Sequence, residues 1–171
     1  LGTSITALLI LSLVACSEKS IPPLAAGMIF HHDRRTAGSM LDDQAINIKA
    51  NLAIARDKQL WQKSHITTLS YNKSLLLIGQ TDSLASKQKI EQMMQPIKEI
   101  RTIYNQITVA EPLPLAARAK DSWISTQVKA KLLSNRDIGP KRVKVVTENG
   151  VVYLMGMLSK DEDRIVQSLV S

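Results

Sequence analysis

Few residues in this chain combine side-chain types and spacing suited to chemistry. Cys16 is its one cysteine, and it closes an apolar run, "SITALLILSLVAC", whose apolar stretch extends from Ile5 to Val14. A lone thiol makes no intrachain disulfide, and no Cys/His cluster with zinc-ligand spacing accompanies it. His31 and His32 are adjacent but lack a third ligand beside them, so a solvated pair is expected. His65 stands alone at the start of a β-rich stretch. The acids Glu148, Asp161, Glu162 and Asp163 fall at a turn and a helix N-terminus, where negative charge favours the helix dipole. Phosphate-cradling glycine loops are absent. These observations predict no catalytic residue, no cofactor, no metal and no small-molecule substrate; the chain does not read as an enzyme.

A formal charge of +7 over 171 residues favours anionic partners: nucleic acid, anionic lipid or acidic protein. The basic cluster Lys141, Arg142, Lys144 suits nucleic acid, but no recognised binding motif accompanies it. The segment "DSWISTQVKAKLL" (Asp121 to Leu133) is more telling. On a helical wheel with Ile124 at zero, Val128 and Leu132 fall at about 40° and 80°, a core stripe. Leu133, Thr126, Ala130 and Trp123 fall at about 180°, 200°, 240° and 260°, a second stripe. Lys129 borders it, with Lys120 and Lys131 beyond the other edge. Tryptophan at headgroup depth and snorkelling lysines suit an anionic bilayer surface. The stripe is equally suited to packing two domains together, or against a tether.

The elements that must position these residues recur. "SYNKSLLLIGQ" (Ser70–Gln80) and "TENGVVYLMGM" (Thr147–Met157) align without gaps, matching Asn72 with Asn149, Leu77 with Leu154 and Gly79 with Gly156. Helix-like stretches lie upstream of both, where Ile46, Ala50 and Ile54 correspond to Ile124, Val128 and Leu132. The matching second stripe in the first copy is Ala45, Ile48, Leu52 and Ala55, without an aromatic. A repeat spacing of about 78 residues is too long for a solenoid unit and suits tandem small domains.

Each copy reads as α-β-β-α-β, an α+β unit with helices on one face of a three-stranded sheet. Asp43 and Asp121 are N-cap candidates for the first helices. Asn149-Gly150 signals a type I′ hairpin, whereas Lys73 in the matching Asn72-Lys73 turn tolerates that geometry less well. "SLASKQKIEQMMQ" forms the second helix, ended by Pro96, and "RTIYNQITV" a last strand with Ile103, Asn105, Ile107 and Val109 on one face. Trp61 lies in a loop as a local packing residue. The second copy is expected to be truncated before its last strand by roughly 20 residues, judged against the first copy. The expected organisation is residues 1–15 signal peptide without its n-region, 16–41 tether, 42–110 first domain, 111–120 linker and 121–171 incomplete second domain. As a flexible coil the tether would reach about 25–30 Å.

The apolar run is shorter than the about 20 residues a membrane span needs and suits a signal-peptide h-region. "LVAC" (Leu13 to Cys16) resembles a bacterial lipobox, which implies cleavage before Cys16 and acylation of that residue. Ser17, rather than Asp, then implies sorting to the outer membrane. A lipobox, a tether and two α-β-β-α-β copies with the hairpin and its closing Leu-x-Gly resemble a dual BON-domain lipoprotein over about Asp42 to Ser171. The first copy departs at Lys73, where such domains usually carry Gly. The resemblance implies a lipid-anchored outer-membrane protein facing the periplasm, binding anionic phospholipid and supporting envelope integrity. It places the phospholipid contact on the first helix of the second copy: Trp123, Thr126, Lys129, Ala130 and Leu133. Docking on an envelope assembly complex or the cell wall is the alternative, and an anchored location argues against nucleic acid.

Overall fold

The computed structural model describes residues 35–135, 137–138 and 142–170. Two units follow one plan. In the first, α1 (Ala37–Arg56) and the short α2 (Lys58–Lys63) precede a hairpin of β1 (His65–Tyr71) and β2 (Ser74–Thr81). Then come α3 (Leu84–Met94), β3 (Thr102–Asn105) and β4 (Thr108–Val109). In the second, α4 (Leu115–Ser134) precedes the hairpin of β5 (Val143–Glu148) and β6 (Val151–Gly156), and α5 (Lys160–Val170) follows. Signal segment, Cys16 and the histidine pair lie outside the described residues, as does Lys141.

The first helices begin earlier than Asp43 and Asp121. Thr36 caps α1, its hydroxyl accepting the Ser39 N–H at 3.1 Å, and Pro114 stands at the cap position of α4. The Ala-, Leu-, Arg- and Lys-containing Leu115–Lys120 carries α4 upstream, so this segment, read as linker, is helical, and α1 takes in residues 37–41 of the stretch read as tether. Asp43 and Asp121 are buried inside the helices instead, and each carboxylate crosses to its hairpin turn. Asp43 accepts the Asn72 and Lys73 N–H groups, and Asp121 those of Asn149 and Gly150, all at 2.8 Å. A short acid before an apolar run resembles a cap, but the hairpin presents two orphan donors that compete for it.

Both turns have left-handed central residues: Asn72 and Lys73 at φ 49° and 65°, Asn149 and Gly150 at 51° and 75°. Lys73 therefore accepts the type I′ geometry, at a cost of roughly 1–2 kcal/mol, against which the Asp43 bond works. In the first sheet β2 is central, antiparallel to β1 and parallel to β3 and β4. The expected last strand is thus two short ones. Asn105 breaks it: its carboxamide oxygen accepts the Ile107 N–H and its Nδ2 donates to Glu91. Ile107 is buried, but Val109 is 48% exposed rather than inward. α3 ends before Pro96, as expected, behind a Ser83 N-cap.

Ile46, Ala50, Ile54, Leu75, Leu77, Ile90 and Met94 belong to the first core. Val128, Leu132, Ile138, Val145 and Val166 form the second, with Ile124 packed at its margin. Alternation along β2 sends Leu76, Ile78 and Gln80 to the face away from the first core, yet these are buried too. The second unit covers that face. Tyr71 Oη donates to the Arg142 carbonyl (2.9 Å), Lys144 Nζ to the Ser70 carbonyl (2.7 Å) and Gln80 Nε2 to Glu148 Oε1 (2.8 Å). The two units thus meet through the sheet faces opposite their helices.

Candidate functional site

α4 divides its faces sharply. Asp121, Ser125, Val128 and Leu132 are buried: the first holds the hairpin turn, and Ser125 Oγ donates to Thr147 Oγ1 at 2.9 Å. With that stripe committed to the fold, a rotation of 100° per residue leaves Trp123, Thr126, Ala130 and Leu133 outside. All four are exposed, as is Lys129; Trp123 is 63% and Leu133 60% exposed. The two large side chains stand about 15 Å apart along the axis. Thr126 Oγ1 donates back to the Ser122 carbonyl at 2.9 Å, leaving the ridge without a free hydroxyl donor. Lys129 has no ion-pair partner among the described residues.

The junction between units uses the sheets, so the stripe is not what packs them together. Only its edge approaches the first unit: Thr126 and Lys129 border a cleft containing His65, and Leu133 a groove containing Leu69. The corresponding ridge of α1 is also open, with Ile48, Leu52 and Ala55 exposed. Its base Lys49, however, pairs with Glu99. Trp61 is not a packing residue. It lies in α2, where Leu60 takes the buried position, and is 63% exposed.

The cleft between α4 and β1 has a volume of about 380 Å³. Arg118 enters it from the first turns of α4, its Nη1 lying 3.5 Å from His65 Nδ1. Sequence reasoning missed Arg118 because it fell in the segment read as linker. The spacing Arg118, Ser122, Lys129 would have placed it on the helix had the Ala-rich start been followed upstream.

Other chemistry is committed to structure. Ser159 and Glu162 form a capping box at the start of α5: the Ser159 N–H donates to Glu162 Oε2 at 2.7 Å, and Ser159 Oγ accepts the Glu162 N–H at 3.3 Å. Glu162 also pairs with Arg142. Glu148 accepts from Gln80, and Lys144 donates across the junction, so the basic cluster is partly spent on the fold. Among the described residues no group of three or more His, Cys, Asp or Glu side chains is placed to hold a metal, and no helix is long and apolar enough to cross a membrane.

A sequence-family model described as the BON domain matches residues 42–111 and again 120–166. The chain is 35% identical over 127 residues to a 21 kDa hemolysin of Actinobacillus pleuropneumoniae, covering 74% of this chain and 66% of that protein. It is 31% identical over 139 residues to the outer membrane lipoprotein DolP of Haemophilus influenzae, covering 81% of this chain and 72% of DolP. It is also 25% identical over 134 residues to the osmotically-inducible protein Y of Escherichia coli, covering 77% and 66%. The chain thus spans about two thirds of the length of these relatives.

Proposed function

Because the chain belongs to the BON-domain family and carries two copies of the domain, we propose that it is a lipid-anchored outer-membrane protein, facing the periplasm, that docks on anionic phospholipid through α4 and supports envelope integrity. Similarity to an outer membrane lipoprotein supports the location. The "LVAC" segment ending at Cys16 supports the anchor. Each buried acyl CH₂ contributes about 0.8 kcal/mol, so several chains hold the protein permanently.

One observation carries the docking reading: Trp123 and Leu133 are exposed on one helical ridge beside an unpaired Lys129. Burial of such a side chain contributes about 1.5–3 kcal/mol. Each base near an anionic surface adds about 1 kcal/mol. That sum gives weak, reversible docking, which is sufficient for a domain already held at the membrane.

The test is co-sedimentation of a Cys16→Ala chain, which cannot be acylated, with phosphatidylcholine vesicles with and without phosphatidylglycerol. Binding should require the anionic lipid. Trp123→Glu should weaken it at least about tenfold, from lost burial and added repulsion. Unchanged binding by that variant refutes the docking surface. A second reading, attachment to a protein of an envelope assembly complex or to the cell wall, is favoured by the exposed Leu41, Ile48 and Leu52 on α1. It gains ground if no vesicle composition retains the Cys16→Ala chain.

A further inference from the structure

The cleft between α4 and β1 contains a guanidinium whose surroundings do not satisfy it. Arg118 is half-buried, and its Nε is a buried donor without a hydrogen-bond partner. No carboxylate among the described residues pairs with it. The two acids lining the same cleft accept from other donors, Asp121 through both oxygens and Glu148 through Oε1. His65 Nδ1, near Arg118 Nη1, steadies one arm of the guanidinium and leaves Nε free.

A donor orphaned in this way carries a substantial desolvation penalty, which an incoming acceptor relieves. The guanidinium's own charge favours an anionic acceptor. Arg118 lies in the first turns of α4, at the positive end of its dipole, and the Pro114 cap position makes no side-chain hydrogen bond there. Lys129 lines the far end of the cleft, about 16 Å along the helix. Guanidinium Nε and Nη groups form a fork that matches two phosphate oxygens.

We propose that this cleft is a binding site for a phosphate-ester oxyanion, with Arg118 as its principal ligand and Lys129 reinforcing the field from the far end. The site adjoins the Trp123 ridge, so a phospholipid headgroup is one source of the phosphate and a soluble phosphate the other. The headgroup source rests on the lipid-docking reading; the soluble source does not.

The experiment follows the Arg118 Nε–H resonance of the Cys16→Ala chain during titration with inorganic phosphate. The same titration is run with phosphatidylglycerol-containing vesicles, whose affinity is measured for Arg118→Gln, Arg118→Lys and Lys129→Gln. Arg118→Gln should weaken vesicle binding about tenfold. Arg118→Lys should recover part of the affinity, and Lys129→Gln, at an exposed position that cannot unfold the helix, should lose about fivefold. A saturable shift with inorganic phosphate assigns a soluble phosphate; an Arg118-dependent response to vesicles alone assigns the headgroup. If Arg118→Gln keeps full vesicle affinity and neither probe moves the resonance, the site does not exist. Should Trp123→Glu still lose binding in that case, lipid docking stands while the cleft falls. If neither variant loses affinity, docking falls, and only a shift with inorganic phosphate sustains the cleft.

Discussion

Replacing Asp43 with alanine is expected to destabilise the first unit by about 3–5 kcal/mol, a large share of the about 5–15 kcal/mol that holds an ordinary domain folded. The side chain is 1% exposed, and its two oxygens receive four donors. Oδ1 accepts from Ser70 Oγ and the Lys73 N–H, and Oδ2 from Arg35 Nη1 and the Asn72 N–H, each at 2.8 Å. Truncation removes the buried ion pair with Arg35 and leaves two turn amides unsatisfied and Lys73 unsupported at positive φ. Asn is no rescue, because its amide nitrogen would confront a donor. Urea denaturation, followed by far-ultraviolet circular dichroism, measures the loss. Asp121→Ala should be milder, since Gly150 holds the equivalent turn without strain.

The same carboxylate makes the first unit acid-sensitive. Burial pushes the Asp43 carboxyl upward, but bonds from the Lys73 amide, Ser70, the Asn72 amide and Arg35 outweigh it and hold it below its usual value of 3.8. The unfolded chain then binds the proton more tightly than the folded one. The contribution is therefore full above pH 3.8 and is lost as pH falls through the lower folded value. Asp43→Asn should remove this part of the acid transition.

Gly79→Ala is the second large effect, expected at about 3–5 kcal/mol from backbone strain and overpacking together. A Cβ at Gly79 would lie 1.9 Å from the His65 carbonyl oxygen and 3.2 Å from Ile66 Cα, and φ is +121°. All the obstructing atoms are backbone, so β1 must move away from β2 where Ile66 faces Gly79. Gly156, its counterpart in the repeat, would place a Cβ 2.8 Å from the Arg142 carbonyl oxygen. Gly150→Ala is the control. It has open space around it, and its φ of +75° alone should cost only about 1–2 kcal/mol. Thermal melts of the three variants should rank Gly79→Ala lowest.

The matched glycines illustrate what was legible. Their alignment across the repeat marked both positions, and the close approach of strand backbones gives the reason. The core stripes of α1 and α4 were readable too, because helical periodicity survives wherever one face packs. Helix starts were not, since Asp43 and Asp121 carry the chemistry of a cap while bonding a turn distant in sequence. The last strand looked continuous because alternation does not register a side chain, that of Asn105, bonding its own backbone. The junction had left a trace in "LLLI" (Leu75–Ile78), an unbroken apolar run where a half-exposed hairpin would alternate. Arg118 was hidden for the same reason as the helix starts: its turn of α4 was assigned to the linker.

The fluorescence of Trp123 reports directly on whether the α4 ridge meets the membrane. A Trp61→Phe substitution in the Cys16→Ala chain removes the other indole and leaves Trp123 as the single emitter. On addition of phosphatidylglycerol vesicles the emission should shift to the blue and be quenched by lipids brominated near the headgroup end of the acyl chain, while pure phosphatidylcholine leaves it unchanged. Emission that stays at its aqueous wavelength and escapes quenching, under conditions where the protein co-sediments with the same vesicles, would contradict the assignment of this surface to the membrane.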